Sequence, residues 1–132
     1  VIGQIGLGIY KPKHFQACQV LDKNAFDEHM EKASLIISHA GMGSIITAIT
    51  LKKPMIIMPR LKKYNEHVND HQLDTALRFQ ELGIVLVAKD EHEMVEKITR
   101  VSDFKPADRK AQIEPIKAQV IGFLNDLKNQ KN

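Results

Sequence analysis

The sequence predicts an α/β fold: a Rossmann-like parallel sheet with helices on both faces, followed by a C-terminal amphipathic helix. Three observations predict it. Short apolar runs recur along the chain. Stretches of helical periodicity, each about a dozen residues, separate them. The runs are apolar throughout rather than alternating, as in parallel strands buried on both faces.

The elements follow in order. Residues 1–6 (VIGQIG) and 15–21 (FQACQVL) read as strands. Residues 24–32 read as a helix, because Phe26 and Met30 are one turn apart. Residues 35–38 (LIIS) form a short, fully apolar strand. Gly41-Met42-Gly43-Ser44 then opens a helix running to about residue 52. Residues 55–58 (MIIM), between Pro54 and Pro59, are the next buried strand. Residues 69–82 are helical, with Leu73, Ala76, Leu77 and Phe79 facing inward and Gly83 as the left-handed residue past its end. Residues 84–87 (IVLV) are a further strand, and Asp90 caps a helix over 91–101. This alternation of strand and helix requires a parallel sheet with right-handed crossovers.

The tail is different. Ile113, Ile116, Val120, Phe123, Leu124 and Leu127 recur at helical spacing, and Pro115 kinks that helix or marks its first turn. From Lys105 onward six basic residues face three acids, a surplus equal to the net charge of the whole chain, +3. The division is therefore 1–104 for the α/β domain and 105–132 for the basic amphipathic helix. That helix packs back on the sheet with a solvated basic face, or it docks on a partner.

Composition narrows the function. At 132 residues, 43% hydrophobic and 27% charged, the chain is globular and of single-domain size. It has no Trp and only 5% aromatics, which argues against stacking on single-stranded nucleic acid. Outside the tail, Lys and Arg are interspersed with acids, so no nucleic-acid partner is expected. The one cysteine, Cys18, excludes a disulfide framework and a cysteine zinc cluster, and reads as buried and inert. No apolar stretch approaches the roughly 20 residues of a membrane span. No signal peptide is visible, and a cytoplasmic location is expected. The chain opens at Val1 inside an apolar run, without Met, so the native start is expected upstream.

Two segments carry the chemistry. Ser38-His39-Ala40-Gly41-Met42-Gly43-Ser44 joins a strand to a helix at the strand's carboxyl end, where open parallel sheets bind ligands. Its glycines allow close backbone approach, and the helix N-terminus suits a diphosphate. A plain tight turn with Ser44 at the helix start is the other reading. Ile46 stands where a dinucleotide fingerprint requires its third glycine, and no Gly-Lys-Ser/Thr of a P-loop follows. His39 is a candidate general base or a residue that shapes this turn. A second glycine cluster, Gly3, Gly6 and Gly8, leads into a loop with Pro12.

The other segment, residues 59–72, follows the next strand on the same side of the sheet. Glu66, Asn69, Asp70 and Gln72 are the groups sugar hydroxyls need, and Arg60, Lys62 and Lys63 favour an anion. A solvated loop with Asn69 or Asp70 as helix cap is the competing reading. His67 and His71 are four apart, but HxxxH alone, with Val68 where a zinc peptidase has Glu, predicts no metal site. His14, His29 and His92 read as surface residues.

Together, Ile37-Ser38-His39-Ala40-Gly41-Met42-Gly43-Ser44, then Lys53-Pro54-Met55-Ile56-Ile57-Met58-Pro59-Arg60, then Glu66-His67-Val68-Asn69-Asp70-His71-Gln72 closely resemble the C-terminal, donor-binding domain of family 28 glycosyltransferases. The resemblance spans residues 1–87. It is strongest to the small subunits of two-component enzymes, in dolichol-linked precursor synthesis and in bacterial exopolysaccharide or capsule synthesis, and more distant to the two-domain MurG. It implies a GT-B half-fold with a UDP-sugar as substrate and no metal or cofactor. Gly41, Met42, Gly43 and Ser44 match the family's diphosphate loop. Glu66, Asn69, Asp70 and Gln72 fall where relatives hold ribose or donor-sugar hydroxyls, and residues near Leu21 and Asp22 where they contact the base. It further implies a lipid-linked acceptor brought by a membrane-associated, acceptor-binding subunit, and a peripheral membrane location through that partner. Family members usually begin with a strand and a Val-Thr-Val-Gly-Thr loop ahead of the strand found here at Val1. The acceptor half is also absent, so the acceptor site would come from a partner chain. A non-catalytic nucleotide-sugar-binding or partner-docking module of the same fold is the alternative.

Overall fold

The computed structural model describes residues 1–66, 71–107 and 118. The chain divides into two compact units, Val1–Ala33 and Ser34–Asn132.

The first unit contains β1 (Ile2–Gln4), β2 (Gln16–Cys18) and α1 (Lys23–Lys32). β1 and β2 pair in parallel, with Ile2 opposite Gln16 and Gln4 opposite Cys18. The ladder continues as the Ile5 and Gly6 N–H groups donate to the Cys18 and Gln19 carbonyls, both at 2.9 Å. The Phe15 ring lies over Gly3, where a Cβ would come 2.7 Å from Cε2. Asp22 starts α1: its carboxylate accepts the Ala25 N–H at 2.9 Å. Ion pairs one turn apart, Lys23–Asp27 and Glu28–Lys32, run along the exposed face. Cys18 is half-buried rather than buried, on a strand whose other residues are exposed, and its thiol faces the Gly3 carbonyl at 3.7 Å. His29, expected on the surface, is half-buried too, since it lies one position from the buried Met30.

The second unit runs β3 (Ile36–Ser38), α2 (Met42–Thr50), β4 (Met55–Ile57), α3 (His71–Glu81), β5 (Leu86–Val87) and α4 (Glu91–Arg100). A 3-10 turn, Lys62–Tyr64, precedes α3 and another, Val101–Asp103, follows α4. The strands pair in parallel in the order β3-β4-β5. The expected parallel pairing is therefore present, in a separate sheet in each unit. β4 is central and buried at all three positions, while flanking β3 leaves Ile37 49% exposed, against the expectation of a fully buried strand. The core joins Met55, Ile56 and Ile57 with Ile45, Ala48 and Ile49 of α2, Ala76 and Phe79 of α3, and Ile84 and Val85. α3 packs on β5 and α4 on β4.

Both α2 and α3 end in a left-handed residue. After α3, Gly83 (φ +66°) donates to the Gln80 carbonyl and Ile84 to that of Phe79, at 2.9 and 3.0 Å. These are the paired bonds of a Schellman ending. After α2 the same pair of bonds forms, Lys52 to Ile49 and Lys53 to Ala48, but the left-handed residue is Lys52 (φ 54°). The expected helix within 105–132 lies outside the described residues beyond Ala107, except Ala118. Among the described residues no helix is long and apolar enough to cross a membrane.

Candidate functional site

The carboxyl edge of the β3-β4-β5 sheet is assembled by its own ladder. The Met58 N–H donates to the Ser38 carbonyl and the Ala88 N–H to the Ile57 carbonyl, each at 2.9 Å. Parallel pairing thus sends three connections off the same edge, starting at His39, Pro59 and Lys89. Two of them are the segments singled out from the sequence.

At the first connection the chain turns sharply. The Gly41 N–H donates to the His39 carbonyl at 2.8 Å, a three-residue turn centred on buried Ala40. The His39 imidazole lies over Gly41. A Cβ on Gly41 would overlap Cε1 and come 3.0 Å from Nδ1. Gly41 is therefore required by close approach, not by its φ of −80°. His39 contacts Gly41 through carbonyl and ring alike.

Gly41 is also the N-cap of α2, and it brings no side chain to that task. The first intrahelical bond is Ile45 N–H to the Gly41 carbonyl, 3.2 Å. The Met42, Gly43 and Ser44 N–H groups therefore lie ahead of the helical ladder. No acidic residue sits in this first turn. Gly43 is exposed, and a Cβ there would meet nothing within 4 Å. Its backbone conformation does not require glycine either, and glycine inside a helix costs about 1 kcal/mol relative to alanine. Among the described residues nothing accounts for a glycine at position 43.

At the second connection two side chains hold the backbone. Gln72 Oε1 accepts the Arg60 N–H at 3.0 Å, and Glu66 Oε2 accepts the Leu61 N–H at 3.2 Å. The structure thus brings Arg60, Glu66 and Gln72 together through the amides of residues 60 and 61. Glu66 Oε1 and Gln72 Nε2 take no part in these two bonds. Lys63 Nζ stands 4.6 Å from the centre of the Tyr64 ring. Asn65 takes a left-handed conformation (φ 56°), which asparagine tolerates, and closes the 3-10 turn. Asn69 and Asp70, with His67, lie outside the described residues.

The bracing role of Glu66 and Gln72 was invisible in the sequence, because the bonded groups are backbone amides with no signature. The expectation that Lys and Arg outside the tail are interspersed with acids does not hold around this edge. From Ser34 to Asn65 there is no acid, against Lys52, Lys53, Arg60, Lys62 and Lys63. The third connection contrasts with the first: Asp90 accepts the Glu93 N–H at 2.8 Å, and Glu93 accepts the Lys89 N–H at 3.0 Å. Among the described residues no three His, Cys, Asp or Glu side chains are grouped to hold a metal ion.

The sequence is similar to the "UDP-N-acetylglucosamine transferase subunit ALG13" of Candida albicans, 32% identical over 59% of this chain and 25% of the relative. It is 34% identical to the human protein of that name, over 63% of this chain and 7% of the relative. The Eremothecium gossypii protein is 42% identical over 45% of this chain and 30% of the relative. The chain thus spans less than a third of the length of each of these relatives. No solved structure matches it. The glycosyltransferase family 28 C-terminal domain matches residues 1–128, nearly the whole sequence, and the chain belongs to that family.

Proposed function

We propose that this chain is the donor-binding subunit of a glycosyltransferase that uses a UDP-sugar and works with a partner chain. The observation that carries the reading is the open N-terminus of α2, with the structurally unexplained Gly43 at its exposed face. The donor diphosphate sits on the Met42, Gly43 and Ser44 N–H groups, where the positive end of the helix dipole favours negative charge. Arg60, on the neighbouring connection, adds a cation. Glu66 and Gln72, through their second polar atoms, hold ribose or sugar hydroxyls together with Asn69 and Asp70. An acceptor hydroxyl attacks the anomeric carbon, the bond from that carbon to the diphosphate oxygen breaks, and UDP leaves. The helix N-terminus stabilises the charge that develops on UDP. His39 is the candidate for taking the hydroxyl proton. The name of these relatives supports N-acetylglucosamine as the sugar, and the word subunit supports a partner. By the same reading the acceptor is lipid-linked, the partner membrane-associated, and the location cytoplasmic and peripheral. The product is a glycan precursor or a polysaccharide of the exopolysaccharide or capsule kind.

The test is a thermal-shift titration with UDP, against UMP, ADP and UDP-sugars. At about 100 times its dissociation constant, UDP should stabilise the chain by roughly 2.7 kcal/mol. Gly43→Leu should fold as before, since its Cβ enters open space, and should lose the UDP shift. Undiminished UDP binding by that variant would remove the diphosphate assignment. Sugar transfer by the chain with its partner, absent from either alone, separates an enzyme subunit from a binding module.

A further inference from the structure

The connection between β1 and β2 takes no part in the donor site as read above. Its apolar side chains face outward: Leu7 is 92% exposed, Ile9 98% and Tyr10 72%. Lys11 and Lys13 follow directly, and both are exposed. Neither lysine forms an ion pair among the described residues. No acid occurs before Asp22, so nothing within the first 21 residues offsets their charge.

The loop follows the last bond of the β1–β2 ladder. Its base is fixed by the Gly6 N–H to the Gln19 carbonyl at 2.9 Å and the Gly8 N–H to the Ile5 carbonyl at 3.2 Å. Gly6 is left-handed (φ +60°), which lets the chain turn outward there. Beneath the tip lies a cleft of about 540 Å³, with Ile5, Ile9, Pro12 and Cys18 among its lining residues and Lys11 as its cation. Within its own unit the apolar tip is left uncovered.

We propose that residues 6–14 form a contact with an anionic lipid surface. Leu7, Ile9 and Tyr10 enter the interfacial layer, and Lys11 and Lys13 pair with lipid phosphates. The charge decides the occupant. Exposed aliphatic side chains, an interfacial aromatic and two unopposed lysines within seven residues complement a surface that is apolar below and negative above. A purely apolar protein face would leave both lysines uncompensated. The inference stands independently of the donor-site reading, because it concerns a different loop and a different ligand.

The chain contains no Trp, so Tyr10→Trp makes a single fluorescent reporter at the tip. With phosphatidylcholine vesicles containing phosphatidylserine, its emission should shift to the blue and be quenched by brominated lipid. Pure phosphatidylcholine should give a much smaller shift. Lys11→Gln with Lys13→Gln should weaken partitioning by about thirtyfold. Leu7→Ser with Ile9→Ser, followed by vesicle co-sedimentation, should abolish retention. Circular dichroism should be unchanged, as both side chains are exposed in the free protein. Added salt should reverse binding. The proposal is overturned if the reporter does not shift at low salt. It is equally overturned if vesicles bind but these substitutions leave binding intact, because another surface is then responsible.

Discussion

α2 and α4 leave the same edge of the same sheet, one after β3 and the other after β5, and are of nearly equal length. Their N-termini are opposites. α4 is closed by the Asp90 carboxylate, has two glutamates in its first turn, and carries an ion pair between Glu96 and Arg100 at 3.2 Å. It buries no residue. α2 has no charged residue, a glycine in the cap position and no side chain on its first amides, yet buries Ile45, Ala48 and Ile49. A helix held by local bonds needs its cap. A helix held by its buried face can leave its N-terminus open, because packing supplies the stability that capping otherwise would. The open end is then available to an anion.

The sharpest way to break this contrast is in the packing. Ile45→Ala should cost about 3 kcal/mol by urea denaturation, within the range for large-to-small core changes. Val95→Ala, at a position 63% exposed on α4, should change stability by no more than about 0.5 kcal/mol. Equal losses would mean that α4 is anchored as firmly as α2.

The caps come next. Asp90→Ala should cost about 1 kcal/mol and leave UDP binding unchanged. A loss of UDP affinity with unchanged stability would move the anion site to α4.

The helix endings provide a finer comparison. Lys52 and Gly83 hold the same left-handed position, one with a side chain and one without. Lys52→Gly should stabilise by up to about 1 kcal/mol, since relief of the left-handed strain exceeds the entropy lost with glycine. Gly83→Ala should destabilise by about 1 kcal/mol. A loss in Lys52→Gly would show that the lysine stem packs in a way that outweighs its backbone.

The smallest effect concerns α1, which is stabilised locally like α4. The hydrogen bond from Lys32, reinforced by its charge, lowers the Glu28 carboxyl from its ordinary 4.5, while the same contact raises Lys32. The folded carboxyl therefore ionises more readily than the unfolded one. Its stabilising contribution is complete above the ordinary value and is lost as pH falls through the lower folded value. NMR titration of Glu28 should give a midpoint below that of Glu28 in the Lys32→Ala variant. Identical midpoints would remove the ion pair.

Much of this was legible in the residues. The apolar runs at 35–38 and 55–58, the left-handed Gly83 and the Asp90 cap are local properties, and the structure carries all four. Other features were not legible because their causes are not local. Lys52 takes a conformation that its residue type disfavours, imposed by the need to end α2 and enter β4. Ile37 looked like a core residue, but a flanking strand exposes what a central strand buries. Glu66 and Gln72 looked like free sugar-binding groups, and each already holds a backbone amide.

The sequence by itself determined the alternation of strands and helices, the parallel pairing that follows from it, and the glycine-bearing turn ahead of α2. These depend on residue type and spacing over one or two turns of chain. Only the tertiary structure decided that the His39 ring sits over Gly41 and that Gly43 faces open space. It alone aligned the three connections on one edge and left the N-terminus of α2 without a capping side chain where that of α4 has one. Those properties depend on how neighbouring strands register and which helix faces are buried, and such contacts join residues too far apart in the chain for local pattern to fix.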